Sequence, residues 1–237
     1  MITTTGQIYD ILPDGRALIA SPLPDKADEN DVRLIWYEAD HITSDQRAKI
    51  FAINREIAEW AAYKPEETRK ILTYDFLRQN IEQLQLSSLS LAVSGNCDKG
   101  TASLFIEFLI NFCLENNVPT KVPLGEYAED LERYTYAALM HKRCIVCGKA
   151  ADLHHVDAIG MGYNRKTKAQ IGDRIMPLCR LHHTELHSIG EKRFCEQYHA
   201  VPVRMDKRIA DRYGITGKAA TLSTKARQQG YTEEEFA

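Results

Sequence analysis

Eight side chains between residues 144 and 187 have the types and spacing to bind metal ions and move protons. Cys144-x-x-Cys147 and Cys179-x-x-His182 are two short-spaced pairs of soft or borderline ligands with 31 residues between them. Each pair spans about one turn, and a fold that brings the pairs together supplies the four donors of a tetrahedral zinc site. The expectation is a structural zinc held by Cys144, Cys147, Cys179 and His182, whose thiolates are then unavailable as nucleophiles or redox groups. Four imidazoles remain. Leu153-His154-His155-Val156 reads as a strand, in which neighbouring side chains point to opposite faces. His183 and His187 are four apart, so on a helix they share a face and can hold one ion together.

The elements that must position these groups are asymmetric along the chain. At 237 residues, 44% hydrophobic and 27% charged, the chain is long enough for one large or two small cores. No stretch approaches the roughly 18 apolar residues of a membrane span, and the N-terminus lacks a signal-peptide pattern, so a cytoplasmic protein with no membrane partner is expected. Six cysteines in such a compartment read as thiols or metal ligands rather than disulfides. The net charge of -3 hides a division: residues 1–138 hold 13 Lys and Arg against 22 Asp and Glu, whereas residues 139–218 hold 15 against 8. Seven of the eight histidines lie between His141 and His199. Two modules are the natural reading, an acidic one without reactive constellations and a basic one rich in ligands.

In the first module, two apolar runs around Pro13-Asp14-Gly15 read as a strand pair, and residues 32–39 as a third strand. Thr43 or Ser44 can cap a helix on which Ile50, Ile53, Ile57 and Trp60 recur. Pro65-Glu66-Glu67 makes a good first turn of a second helix running to about Asn80. Residues 81–94 fit either a strand or a helix end. Asp98 caps a strongly apolar helix that Asn116-Asn117 ends. From residue 219 onward, large apolar residues are few and the chain is expected to be a mobile tail.

Residues 38–120, including HITSDQRAKIFAINREIAEW and SLSLAVSGNCDKGTASLFIEFLINFCLENNVP, resemble the phage Orf (NinB) recombination mediators. The resemblance implies single-stranded or branched DNA as partner, a homodimer, a host single-strand-binding protein as a further partner, and a phage-infected bacterial cell as the setting. In so acidic a module, the phosphate contacts would have to come from local cations such as Arg47, Lys49, Arg55, Arg69, Lys70 and Arg78, with Trp60 and tyrosines for stacking.

Residues 141–199 resemble the HNH (His-Me finger) endonucleases with a zinc-knuckle frame. That resemblance implies that His154 is a metal ligand, His155 the general base, and His183 and His187 the helix-borne ligands of a catalytic Mg or Mn. The chemistry agrees with the residue types. Phosphodiester hydrolysis needs a water deprotonated near neutral pH, where imidazole with its pKa of about 6.5 titrates, and a cation to neutralise charge growing on oxygen. The family's middle Asn, nine residues before the first helix histidine, is replaced by Arg174, preceded by Asp173. Asp173 could brace the loop that carries the base, and Arg174 could contact phosphate. Arg165, Lys166 and Lys168 would contact the DNA backbone.

The fold expected is therefore α+β: an Orf-like module over residues 1–135, a zinc-framed HNH nuclease module over 136–218 and a tail over 219–237. The expected function is a recombination-associated, metal-dependent DNA endonuclease whose first module binds single-stranded DNA. The alternative is a noncatalytic mediator whose zinc module only grips DNA.

Overall fold

The computed structural model describes residues 41–84, 86, 88–92, 95–157 and 168–236, together with the backbone of residues 7–11 and 17–20. The strand expected over 32–39 and the cations Arg165 and Lys166 lie outside the described residues. The chain divides into two units, residues 1–39 and 40–237. In the first, β1 (Gln7–Ile11) and β2 (Ala17–Ala20) pair antiparallel, with Gln7 opposite Ala20 and Ile11 opposite Ala17. This is the strand pair expected around Pro13-Asp14-Gly15.

The second unit opens with four helices, and the sequence encodes the starts of three of them locally. The helix α1 (Ser44–Ala61) is closed by a capping box: the Thr43 hydroxyl accepts from the Gln46 N–H at 3.1 Å, and the Gln46 side chain accepts from the Thr43 N–H at 3.1 Å. Next, α2 (Pro65–Gln79) begins on proline, where no amide donor is required. A single turn, α3 (Ile81–Leu84), follows in the stretch that fitted either strand or helix end. Finally, α4 (Lys99–Asn116) is capped by Asp98, which accepts from the Thr101 N–H at 2.7 Å, and it ends on Asn117 in the left-handed region. Ile50, Ile53 and Ile57 of α1, Leu72 and Phe76 of α2, and Phe105, Ile106 and Leu109 of α4 are buried together. Each such side chain contributes about 1.5–3 kcal/mol of burial.

Beyond these lie α5 (Leu131–His141), β3 (Asp152–His155), β4 (Arg174–Leu178), α6 (Arg180–Ile189), α7 (Glu191–Tyr198), β5 (Val203–Arg204), α8 (Lys207–Arg212) and α9 (Thr224–Gln228). The strands form one antiparallel sheet in the order β3-β4-β5, so β3 is an edge strand among the described residues. Helix α5 is a wall between two cores. Its Tyr134 and Ala138 join α1, α2 and α4 in a cluster that continues through Met176, Leu178, Leu186 and Phe194, while Leu139 enters a second cluster with Ile175, Met205 and Ile209. The first cluster thus runs across the boundary expected near residue 135.

Residues 219–236 differ from the mobile tail that the sequence suggested. Ala219, Leu222, Ala226 and Phe236 are buried in the second cluster. Gly172, at φ +83°, lets α9 come so close that an added Cβ would lie 2.5 Å from the Cβ of Ala226. Among the described residues, no helix is long and apolar enough to cross a membrane.

Candidate active site

The zinc-ligand pairs meet at the start of α6. Gly148, at φ +67°, turns the chain after Cys147, and the turn is closed by Gly148 N–H to Cys144 O at 2.8 Å and Cys144 N–H to Lys149 O at 2.8 Å. Cys179 occupies the N-cap of α6, and His182 follows within its first turn. The ligand atoms of Cys144, Cys147, Cys179 and His182 all lie within 4.8 Å of one another. Cys147 Sγ is 3.7 Å from Cys179 Sγ, and His182 Nδ1 is 3.4 Å from Cys144 Sγ and 3.3 Å from Cys179 Sγ. Bond lengths of about 2.3 Å to sulfur and 2.0 Å to nitrogen in a tetrahedron require about 3.8 Å between sulfurs and about 3.5 Å between sulfur and nitrogen. The cluster therefore fits zinc. Burial pushes the Cys144 thiol up to about 12 and lowers the pKa of His182. A neutral imidazole is ready to ligate, and the thiol needs a cation to release its proton.

The same helix carries the second group. His154 on β3 and His183 and His187 on α6 have ligand atoms within 4.8 Å of one another. Their ring centroids are 4.7 Å (His154 to His183), 5.4 Å (His154 to His187) and 4.7 Å (His183 to His187) apart, and the rings stand nearly perpendicular. His154 is buried, His183 half-buried and His187 exposed, so the group opens from the sheet toward solvent. His155, its Nδ1 buried, lines a cleft of about 490 Å³ together with Leu153, Gln170 and Tyr213. Alternation along β3 thus gives His154 to α6 and His155 to the cleft, as the strand reading required. Because His182 and His183 are consecutive, the helix that completes the zinc set also aims the histidine trio.

Asp173 and Arg174 are not brought into this group. Asp173 is 2% exposed beneath α9, where burial raises its carboxyl pKa against the hydrogen bond from Ser223. Arg174 is held in ion pairs, with Nη2 3.2 Å from Asp157 Oδ1 and Nη1 3.1 Å from Glu191 Oε1. Asp157 is the centre of this brace. Its buried carboxylate also accepts the Arg174 backbone N–H at 2.7 Å and pairs with Lys225 of α9, while Val156 N–H donates to Arg174 O at 2.9 Å. The two ends of the 158–173 connection are thereby tied together, immediately after the strand that carries His154 and His155.

In comparison with protein families, a family described as "Putative HNHc nuclease" fits residues 9–214. The chain belongs to this HNHc nuclease family. No curated protein and no solved structure gives a significant match. The HNHc nuclease match is a single span, running through the stretch that resembles Orf as well as through both metal-capable clusters.

Within this HNHc nuclease, the residue that sequence reasoning missed is Asp157. Asp173 was the residue expected to brace the loop and Arg174 to contact phosphate; the carboxylate that ties β3 to β4 is instead Asp157, two positions after His155, and Arg174 is one of its partners. Its partners lie 17 and 68 positions away, and no short motif contains all three.

Proposed function

We propose that this HNHc nuclease is a metal-dependent DNA endonuclease in which His155 is the general base and His154, His183 and His187 hold the catalytic divalent ion. The observation that carries the reading is the pairing of three mutually facing imidazoles with a fourth on the other face of the same edge strand. Because no further strand covers the outer edge of β3 in the described sheet, a phosphate drawn up to that edge is within reach of both faces. The donor set is all nitrogen, which suits first-row ions and favours Mn over Mg, the harder, oxygen-seeking ion. When bound, that ion supplies positive charge for the nonbridging and leaving oxygens. His155, with Nδ1 buried, uses Nε2 on the cleft side to take the proton of the attacking water. Asp157 is a positioning residue: it fixes the end of β3 and so the angle at which His155 meets the cleft.

The Orf-like reading, in which α1 and α2 bind single-stranded DNA in phage recombination, draws on the exposed aromatics of this region. Tyr63 and Tyr74 are exposed, Tyr74 at 68%, and Trp60 is partly so. The guanidinium of Arg47 lies 5.7 Å from the ring centre of Phe51, an arrangement of cation and aromatic suited to stacked bases. In this reading the first helices choose a single-stranded or branched substrate, a homodimer or a host single-strand-binding protein assists, and the histidine cluster cuts.

The test is incubation of the full chain with labelled duplex, single-stranded and branched DNA, with Mn, with Mg and with neither. Cutting with Mn, less with Mg and none without added ion is expected. Tight binding with no cutting under any ion would leave the noncatalytic mediator as the function.

A further inference from the structure

A second cleft, of about 790 Å³, lies between α4, α5 and α8; His141 lines it, and His154, His155, His183 and His187 do not. Four arginines line it, Arg133, Arg143, Arg208 and Arg212, against two glutamates, Glu107 and Glu115. Arg133 is neutralised by Glu107 at 2.9 Å. Arg212 is oriented by donating Nε to Met140 O at 2.6 Å, which leaves the rest of its guanidinium fork open. Arg143 has a buried Nε without a hydrogen-bond partner. Among the described residues, no carboxylate lies within ion-pair distance of Arg143, Arg208 or Arg212. The surplus charge is felt nearby: burial first, and then Arg212 and Arg143, lower the pKa of His141 against the pull of Glu115.

Unpaired guanidinium groups converging on a concave surface match the oxygens of a phosphodiester, which accept two parallel N–H bonds. The cleft's position favours a strand over a free anion. Arg212 lines it, and the next residue, Tyr213, lines the cleft of His155. Lys142 Nζ sits 5.1 Å from the ring centre of Tyr213, adding a cation beside that residue. Consecutive residues thus belong to the two clefts, Tyr213 to that of His155 and Arg212 to that of Arg208 and Arg143.

We propose that this cleft is a phosphate clamp that holds the backbone of the DNA substrate away from the scissile bond. The inference rests on the nuclease reading for its substrate, but its test does not need cleavage. Binding of a labelled 30-base-pair duplex and of a single strand of equal length is titrated between 50 and 200 mM salt without added divalent ion. The proteins compared are full-length wild type, Arg208→Ala, Arg143→Ala and the double variant. If each arginine neutralises one phosphate, each substitution flattens the slope of log K against log salt by about 0.9 on duplex and about 0.7 on single strand. In cleavage assays the loss appears in KM for DNA. Arg208 is exposed on α8, so Arg208→Ala stays informative if Arg143→Ala fails to fold. Lys192→Ala, on α7 and outside the cleft, should leave the slope unchanged.

Unchanged slopes in Arg208→Ala and the double variant would overturn the clamp while leaving wild-type cutting intact. Flattened slopes in a protein that cuts no DNA would keep the clamp and remove the nuclease reading. If pyrophosphate raised the melting temperature of wild type but not of Arg208→Ala, with DNA slopes unchanged, the cleft would be reassigned to a free phosphate compound and the proposal overturned.

Discussion

Replacing Asp157 tests whether the brace behind His155 holds as its geometry implies. The carboxylate is only 5% exposed and receives three kinds of partner: the Arg174 backbone N–H, the Arg174 guanidinium and the Lys225 ammonium. The cationic partners are 40% and 54% exposed, so each ion pair is screened and contributes no more than about 0.5–1 kcal/mol. The hydrogen bond from the backbone N–H to a charged acceptor is worth about 1.5–3 kcal/mol. Asp157→Asn keeps an acceptor for that N–H and should cost about 1–2 kcal/mol at pH 7. Asp157→Ala leaves the N–H unsatisfied and should cost about 2–4 kcal/mol. Burial alone would raise the Asp157 pKa, but the hydrogen bonds from Lys225 and Arg174 outweigh it and hold the carboxyl below its ordinary value. A depressed carboxyl stabilises the fold above the unfolded value of about 3.9 and loses that contribution as pH falls through the folded value. Urea unfolding of wild type and both variants should therefore show a constant gap from pH 5 to 8 that narrows below about pH 4. A gap of less than about 0.5 kcal/mol for Asp157→Ala at pH 7, or one that persists undiminished at pH 3, would refute the reasoning.

Protein purified without chelators should carry one tightly held zinc per chain by elemental analysis. Cys147→Ser should lose it and unfold, since such sites supply about 10 kcal/mol or more. His183→Ala should bind the catalytic ion more weakly and recover part of its cutting in excess Mn, with zinc still at one per chain; loss of that zinc would mean that the two clusters are not separate. Asp173 has a raised pKa because it is buried, so its charged form costs stability at pH 7 and wild type should gain stability as pH falls toward that pKa. Asp173→Asn should match or exceed the wild-type melting temperature at pH 7, and a drop of several degrees would show that the charge is needed there.

The parts of the site that were legible in the sequence are those encoded at short range. Two-residue gaps between cysteines and histidine, adjacent histidines on a strand and a four-residue repeat on a helix each fix geometry within one element. Helix starts at Thr43, Pro65 and Asp98 were legible for the same reason. What escaped is long-range. Asp157 gains its meaning from Arg174 and Lys225, which only the folded chain brings to it. The charge asymmetry suggested a boundary near residue 135, yet α5 there is apolar on two faces and packs Tyr134 and Leu139 into different cores. The segment after residue 219 looked too poor in large apolar residues to pack. Small residues suffice there, because Gly172 removes the side chain that would otherwise stand against Ala226.

The most direct measurement of the central claim is the single-turnover cleavage rate of His155→Ala beside wild type in saturating Mn, with zinc content and DNA affinity measured on the same preparations. The account predicts a fall of at least about 100-fold, the lower range for a lost general base, with zinc at one per chain and affinity nearly unchanged. Cleavage at the wild-type rate by a zinc-replete His155→Ala protein would contradict it.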